Sequence, residues 1–376
     1  MNHAGAPHRS HASVSPLRRR GLIGLAALLA VGCPFGGDGS GDSLKPPPER
    51  LVDSLVEDVI VAGHADLQFG AEGLVAAAEN LCDSPPAGLP MVRIAWAAAR
   101  APLKRSEAWW FGPIVDDGIV ASLDSWPVQA SVIEESIAKG NEPTQQWVGL
   151  QPDAAQGLPA IEYLVYDPEG GDEVIEQSLD PGTEEGAHRC SYILGAARRA
   201  AARASELNQA WHPSGGDYGS PLFAEGQSRK SMRRILQTAV DSLYRLTDVK
   251  IGVPLGDADG GEPQPTRVES RFSDNTAADL RSNIEGVERI WFGGGDASSV
   301  GLTDMVEPDD PALDESVRDA FDAAKAAVDA MGSPMRLAIV DDPASVEAVR
   351  TAVIELRSLL EDDVAVLLDL EIEIPE

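Results

Sequence analysis

The residues best placed to do chemistry lie in one stretch, Gln156-Gly157-Leu158-Pro159-Ala160-Ile161-Glu162-Tyr163-Leu164-Val165-Tyr166-Asp167. Pro159 has a fixed φ and no N–H, so it suits the first turn of a helix. Ile161, Leu164 and Val165 follow at helical spacing and give that helix a core face. Glu162 then falls in the first turn, where the helix dipole favours an anion. Such a carboxylate is either a solvated charge or a functional group at a helix mouth. Other catalytic signatures are missing. There is no His-Glu-x-x-His, and three of the six histidines lie before residue 12. No Ser/His/Asp or Cys/His arrangement follows from the spacing.

The chain that must position this stretch reads as helical. Leu51, Leu55, Val59 and Ala62 begin a helix reaching about Leu81, which carries His64. Further helices are expected over 90–111, kinked at Pro102, and over 185–211, 227–249, 276–292, 314–331 and 345–363. No sustained β alternation occurs, so the expected fold is all-α. His212-Pro213-Ser214-Gly215-Gly216 is the best boundary. It divides 50–212 from 213–376 as two helical bundles.

The N-terminus has its own logic. Arg18-Arg19-Arg20 precedes a short apolar run, Gly21 to Val31, and a small residue before Cys33. That order reads as a secretory signal over 1–32 rather than a membrane span. Leu29-Ala30-Val31-Gly32-Cys33 resembles a lipobox, with Cys33 as the lipidated first residue and 33–49 as a flexible tether. Removing 1–32 leaves 26 basic against 61 acidic residues, a net charge of −35. So acidic a chain excludes nucleic acid and anionic lipid surfaces as partners. It is compatible with cation binding. Cys82 and Cys190 remain for an oxidising compartment, and we expect them to pair as a disulfide.

Gly157, Glu162 and Tyr163-Leu164 resemble the Gly-x-His-x-x-Glu signature of the imelysin-like family (peptidase M75), with Pro159 at the histidine position. Phe111-Gly112-Pro113, Asp124-Ser125-Trp126-Pro127 and Asn283-Ile284-Glu285-Gly286-Val287 resemble further landmarks of that family. The resemblance implies two related helical bundles around a shared cleft. It also suggests an internal echo, with Glu288 matching Glu162. The roles it implies are metallopeptidase or metal uptake at the bacterial envelope, iron uptake among them. Proline has no ligand atom, and a catalytic zinc usually needs three protein ligands.

The leading expectation is therefore a non-catalytic outer-membrane lipoprotein that binds a metal ion, iron or calcium, or a metal-linked ligand. Glu162, Glu107, Asp124 and Glu285 would give oxygen ligands and Arg281 would orient them. Hard oxygen donors suit iron(III) or calcium better than zinc. A metallopeptidase and an envelope peptide- or protein-binding module are the alternatives.

Overall fold

The computed structural model describes residues 46–85, 87–295 and 298–373. The expected signal over 1–32, Cys33 and most of the tether lie outside the described residues. The tether ends earlier than expected. Pro48 already starts a helix, where its missing N–H is no loss.

Every regular element among the described residues is helical, and the fold is all-α. The Pro48–Ser54 helix runs through a π-helical stretch, Leu55–Val61, into Ala62–Asp83. Ala62–Asp83 packs between Leu89–Ser106 and Glu184–Trp211. Cys82 and Cys190 are joined by a disulfide between the end of one of these helices and the start of another. After Trp211 comes a turn-rich connection in which Gly215 N donates to His212 O and Gly216 N to Gln209 O. The second half follows as Ser228–Tyr244, Thr276–Phe292, Pro311–Ala330 and Pro343–Ser358. The described residues of both halves belong to one compact unit.

Leu89–Ser106 is the central helix. It packs on Ala62–Asp83, on Gly157–Val165 and, from the second half, on Thr276–Phe292. The last contact is very close. A Cβ at Gly286 would stand 2.1 Å from the Arg105 carbonyl oxygen, so only glycine fits. Pro102 lies inside this helix and is buried. It withdraws the N–H that would have bonded the Ala98 carbonyl. That carbonyl lies against Gly70, where a Cβ would approach it to 2.9 Å.

The core is apolar and rich in indoles. Trp96, Trp109, Trp211 and Trp291 are all fully buried. His64 is buried among them, with its ring 5.4 Å from that of Trp211. Neither ring nitrogen has a hydrogen-bond partner. Burial lowers its pKa from 6.5 to about 3.

His64 is therefore neutral in the fold and must be deprotonated to stay there. An unfolded chain takes up this proton near pH 6.5 and the folded one only near pH 3, so between those values the unfolded state holds more protons. Stability should fall as pH drops through that window. In His64→Phe this part of the slope should vanish, read as urea midpoints at pH 7, 6, 5 and 4. An unchanged slope would refute the assignment.

Candidate functional site

Trp96, Arg100 and Lys104 form one stripe at i, i+4 and i+8 on the central helix. On a buried face, such cations demand anions. Arg100 donates to Asp124 Oδ1, to Glu269 Oε1 at 3.0 Å and to Asp279 Oδ2 at 3.0 Å. Lys104 Nζ donates to Glu107 Oε1 at 2.9 Å, to Asp124 Oδ2 at 2.5 Å and to Glu269 Oε1. Lys250 Nζ reaches Glu107 Oε1 at 2.5 Å, Asn283 Oδ1 at 3.0 Å and Glu269 Oε2 at 3.0 Å. Arg245 donates to the Glu107 carbonyl at 2.9 Å. Arg245 and Lys250 lie five apart in a π-helical stretch, Arg245–Gly252. The wider π turn brings residues at that spacing onto one side.

The titration of this cluster follows from its geometry. Burial alone would raise Glu107, yet Lys104 and Lys250 hold it at about 2. Glu269 is held below the usual carboxylate range by the same two lysines and Arg100, against burial. Burial would also lower Arg100 and Lys104, but the surrounding carboxylates raise both. Asp279 is raised, chiefly by burial. Three buried cations, Arg100, Lys104 and Lys250, thus face five buried carboxylates once Glu162 is counted.

Glu162 sits at the edge of this network. Its helix, Gly157–Val165, begins at Gly157, with φ +67°. A Cβ there would stand 2.3 Å from the Leu123 carbonyl oxygen. This close approach sets the helix against Ile119–Asp124. Glu162 is the sixth residue of the helix, so it lies beyond the first turn, contrary to the sequence reading. Its own dipole is not what holds it. Glu162 Oε1 accepts from the backbone N–H of Phe272 at 3.0 Å and of Ser273 at 2.8 Å, and from Ser273 Oγ at 2.8 Å. All three donors come from the second half. Burial raises its pKa to about 7, against the opposing pull of Arg100 and the Ser273 donors.

Glu162 lines a crevice with Pro159, Trp126, Arg100, Arg271 and Phe272. The crevice has about 20 Å³ of room for water centres, near the volume one water needs. The 269–275 loop that closes it holds Ser270 at φ +50° and Asp274 at φ +58°. Left-handed backbone at non-glycine residues is strained and needs support from its surroundings. Ser270 Oγ donates to Asp279 at 2.5 Å, and Asp274 is paired with Arg336 at 2.7 Å.

The other expected site residues divide. Glu107 and Asp124 do join the buried cluster, but their oxygens are turned onto Lys104, Lys250 and Arg100. Glu285 and Arg281 do not join it. Arg281 pairs with Asp329 at 2.8 Å and with Glu285 at 3.3 Å, and Arg105 lies 3.8 Å from Glu285. They form a half-exposed surface network on the Thr276–Phe292 helix. Glu288, the expected echo of Glu162, bonds Lys325 at 2.7 Å. Tyr163 OH donates to Glu134 Oε1 at 2.8 Å, and its ring meets Phe272 edge-on.

Among the described residues no group of three His, Cys, Asp or Glu side chains could hold a metal ion. The physical reason is that the Lys104 ammonium occupies the point where Glu107, Asp124 and Glu269 converge. The proposed ligand set is corrected accordingly. Arg100, Lys104, Lys250, Glu269, Asp279 and Arg271 were not singled out from sequence. The available signal was the Trp96-Arg100-Lys104 stripe, two cations in register with a buried indole.

Lys104 can be removed as a test. Lys104→Met leaves the three carboxylates without their shared cation, which should cost about 3–5 kcal/mol. Urea unfolding at pH 7 reads this. A loss under about 1 kcal/mol would show that the cluster does not depend on Lys104.

Comparison with known proteins agrees with this architecture. Iron-regulated protein A of Synechococcus elongatus is 26% identical over 367 residues, covering 93% of this chain and 94% of that protein. An iron-regulated protein A precursor from Parabacteroides distasonis has a crystal structure that superposes with a TM-score of 0.74 at 21% identity, over 87% of this chain and 96% of that one. An imelysin-like protein from Psychrobacter arcticum gives 0.70 at 14% identity, over 87% and 97%. The two structures share the fold. The family model described as imelysin, peptidase M75, matches residues 60–362, a span holding the central helix, the Glu162 crevice and the whole ion network, and the chain belongs to that family.

Proposed function

We propose that this protein is a non-catalytic envelope lipoprotein, anchored through Cys33, that binds iron as part of a small organic complex. One observation carries the choice of a complex over a bare ion. The clustered carboxylates are already engaged by lysine and arginine side chains of the protein itself. A bare cation would have to displace Lys104 from the interior. Glu162 is different, because its partners are neutral amides and a hydroxyl. It also reaches neutrality within the physiological range, at about 7. Such a group can accept or release a proton when a charged ligand arrives beside it.

The iron connection is supported by the name of the relatives, iron-regulated protein A. The family's peptidase designation receives less support. Pro159 lines the crevice three residues before Glu162 and offers no donor atom. A histidine there would share the carboxylate's helix face.

Equilibrium dialysis tests this reading with ferric citrate, free ferric ion and calcium, each at micromolar concentration, against the full chain. Retention of the ferric chelate is expected, with roughly tenfold weaker retention by Glu162→Ala and little retention of calcium. If calcium is held and the chelate is not, the protein is a bare-ion binder and the reading fails. Cleavage of an unfolded protein substrate that a chelator abolishes would also defeat it.

A further inference from the structure

Arg271 stands out in a chain of net charge −31. Its guanidinium makes no hydrogen bond and no ion pair with any described residue; its one aromatic contact is the ring of its neighbour Phe272, 3.9 Å away. Among the described residues, the side chains of Arg50, Lys230 and Arg234 also lack a hydrogen bond and an ion pair, but all three are exposed. Arg271 is half-buried. A guanidinium carries five N–H donors in a fixed fork. These donors have no partner among the described residues and stay open to solvent, so an arriving anion can reach them.

Arg271 also lines a second cavity, about 350 Å³, which shares Arg271 and Phe272 with the Glu162 crevice. Tyr163, Tyr166, Phe272 and the buried Ile175 give this cavity aromatic and aliphatic walls. Three carboxylates border it; one is ion-paired and a second is held by backbone amides. Glu134 takes both Arg189 guanidinium nitrogens, at 3.0 and 2.7 Å, together with the Tyr163 hydroxyl. Asp167 Oδ1 is bonded by the N–H groups of Glu169 and Gly170 at 2.9 and 2.8 Å. Glu169 remains, and it is exposed, so solvent screens it.

We propose that this cavity binds a small organic carboxylate, with the carboxylate paired two-point to Arg271 and an apolar or aromatic body against Tyr163, Tyr166 and Phe272. The planar fork of arginine matches a carboxylate bidentately. The walls favour an organic anion over inorganic phosphate. The inference names the anionic part of the ligand in the preceding reading, yet it needs no iron.

The same loop that carries Arg271 also supplies the amides that hold Glu162. An anion drawn to Arg271 therefore acts on the loop residues that bond Glu162. Carboxylate binding should be accompanied by a change in proton uptake near pH 7.

Isothermal titration calorimetry of the full, iron-free chain tests the site with benzoate, citrate and inorganic phosphate, in buffers of differing ionisation heat. Binding of one carboxylate per chain is expected, at least roughly tenfold tighter than phosphate. Arg271→Lys keeps the charge but not the fork and should weaken it about tenfold. Arg271→Gln should abolish it. Glu169→Gln, an exposed change that leaves the core untouched, should tighten binding about twofold or more. No carboxylate binding by the wild-type chain at millimolar concentration would overturn the proposal. So would binding that Arg271→Lys and Glu169→Gln both leave unchanged, or phosphate binding as tight as carboxylate. Retention of ferric citrate with no response to benzoate or to Arg271→Lys would defeat this inference alone and leave the iron reading in place.

Discussion

A cation withdrawn from water must be met by anions on every open side. That constraint organises this molecule. Lys104 and Arg100 enter the interior one helical turn apart, on the face that also buries Trp96. An apolar shell around them would cost several kcal/mol per charge. The anions come from three separate places in the sequence. Glu107 is just past the end of the same helix, Asp124 ends a short helix of the first half, and Glu269 and Asp279 belong to the second half. The two halves are thus joined by charge matching as well as by apolar packing. Asn283 adds a geometric lock, donating to the Lys104 carbonyl at 2.8 Å while accepting from Lys250. One turn later, Gly286 lets the helices approach closely enough for that bond to form.

The loop at 269–275 is where this scaffold meets the candidate site. Glu269 fixes one end of the loop inside the ion network. Thr276 Oγ1 donates to the Glu269 carbonyl at 2.5 Å and closes the other end. Between these anchors, Ser270 and Asp274 hold left-handed conformations that the sequence alone would not favour. The loop turns the N–H groups of Phe272 and Ser273 toward Glu162, while Arg271 borders both the crevice and the wider cavity. Glu162 lines the crevice but not the wider cavity.

Much of the fold was legible in the sequence. Ile235, Leu236, Val240 and Leu243 at helical spacing mark a helix that the structure contains as Ser228–Tyr244. The expected 276–292 helix is present with both its bounds. The site was harder to read. Glu107, Asp124 and Glu162 were found, because they lie beside turns and aromatic punctuation. Their partners were not, because a pairing such as Arg100 with Asp279 spans 179 positions and leaves no local pattern. Glu285 and Arg281 misled for the opposite reason. They sit in a recognisable motif, yet their half-exposed side chains pair with each other, with Asp329 and with Arg105 instead of entering the buried cluster.

Pro159 shows how one residue can serve both the helix start and the crevice. It is the third residue of its helix, within the first turn, where backbone N–H groups have no partner inside the helix. Proline therefore loses no hydrogen bond there. The helix start is secured elsewhere, by Trp96 Nε1 donating to the Leu158 carbonyl at 2.9 Å and by the close seat of Gly157. A histidine in its place would have put a second donor on the face of Glu162. Proline instead lines the crevice with an aliphatic ring, which helps to dry it. Drying is what raises a carboxylate's pKa when no cation bonds it directly. Glu162 is thereby a group that exchanges its proton near neutral pH, with its pKa raised by burial to about 7.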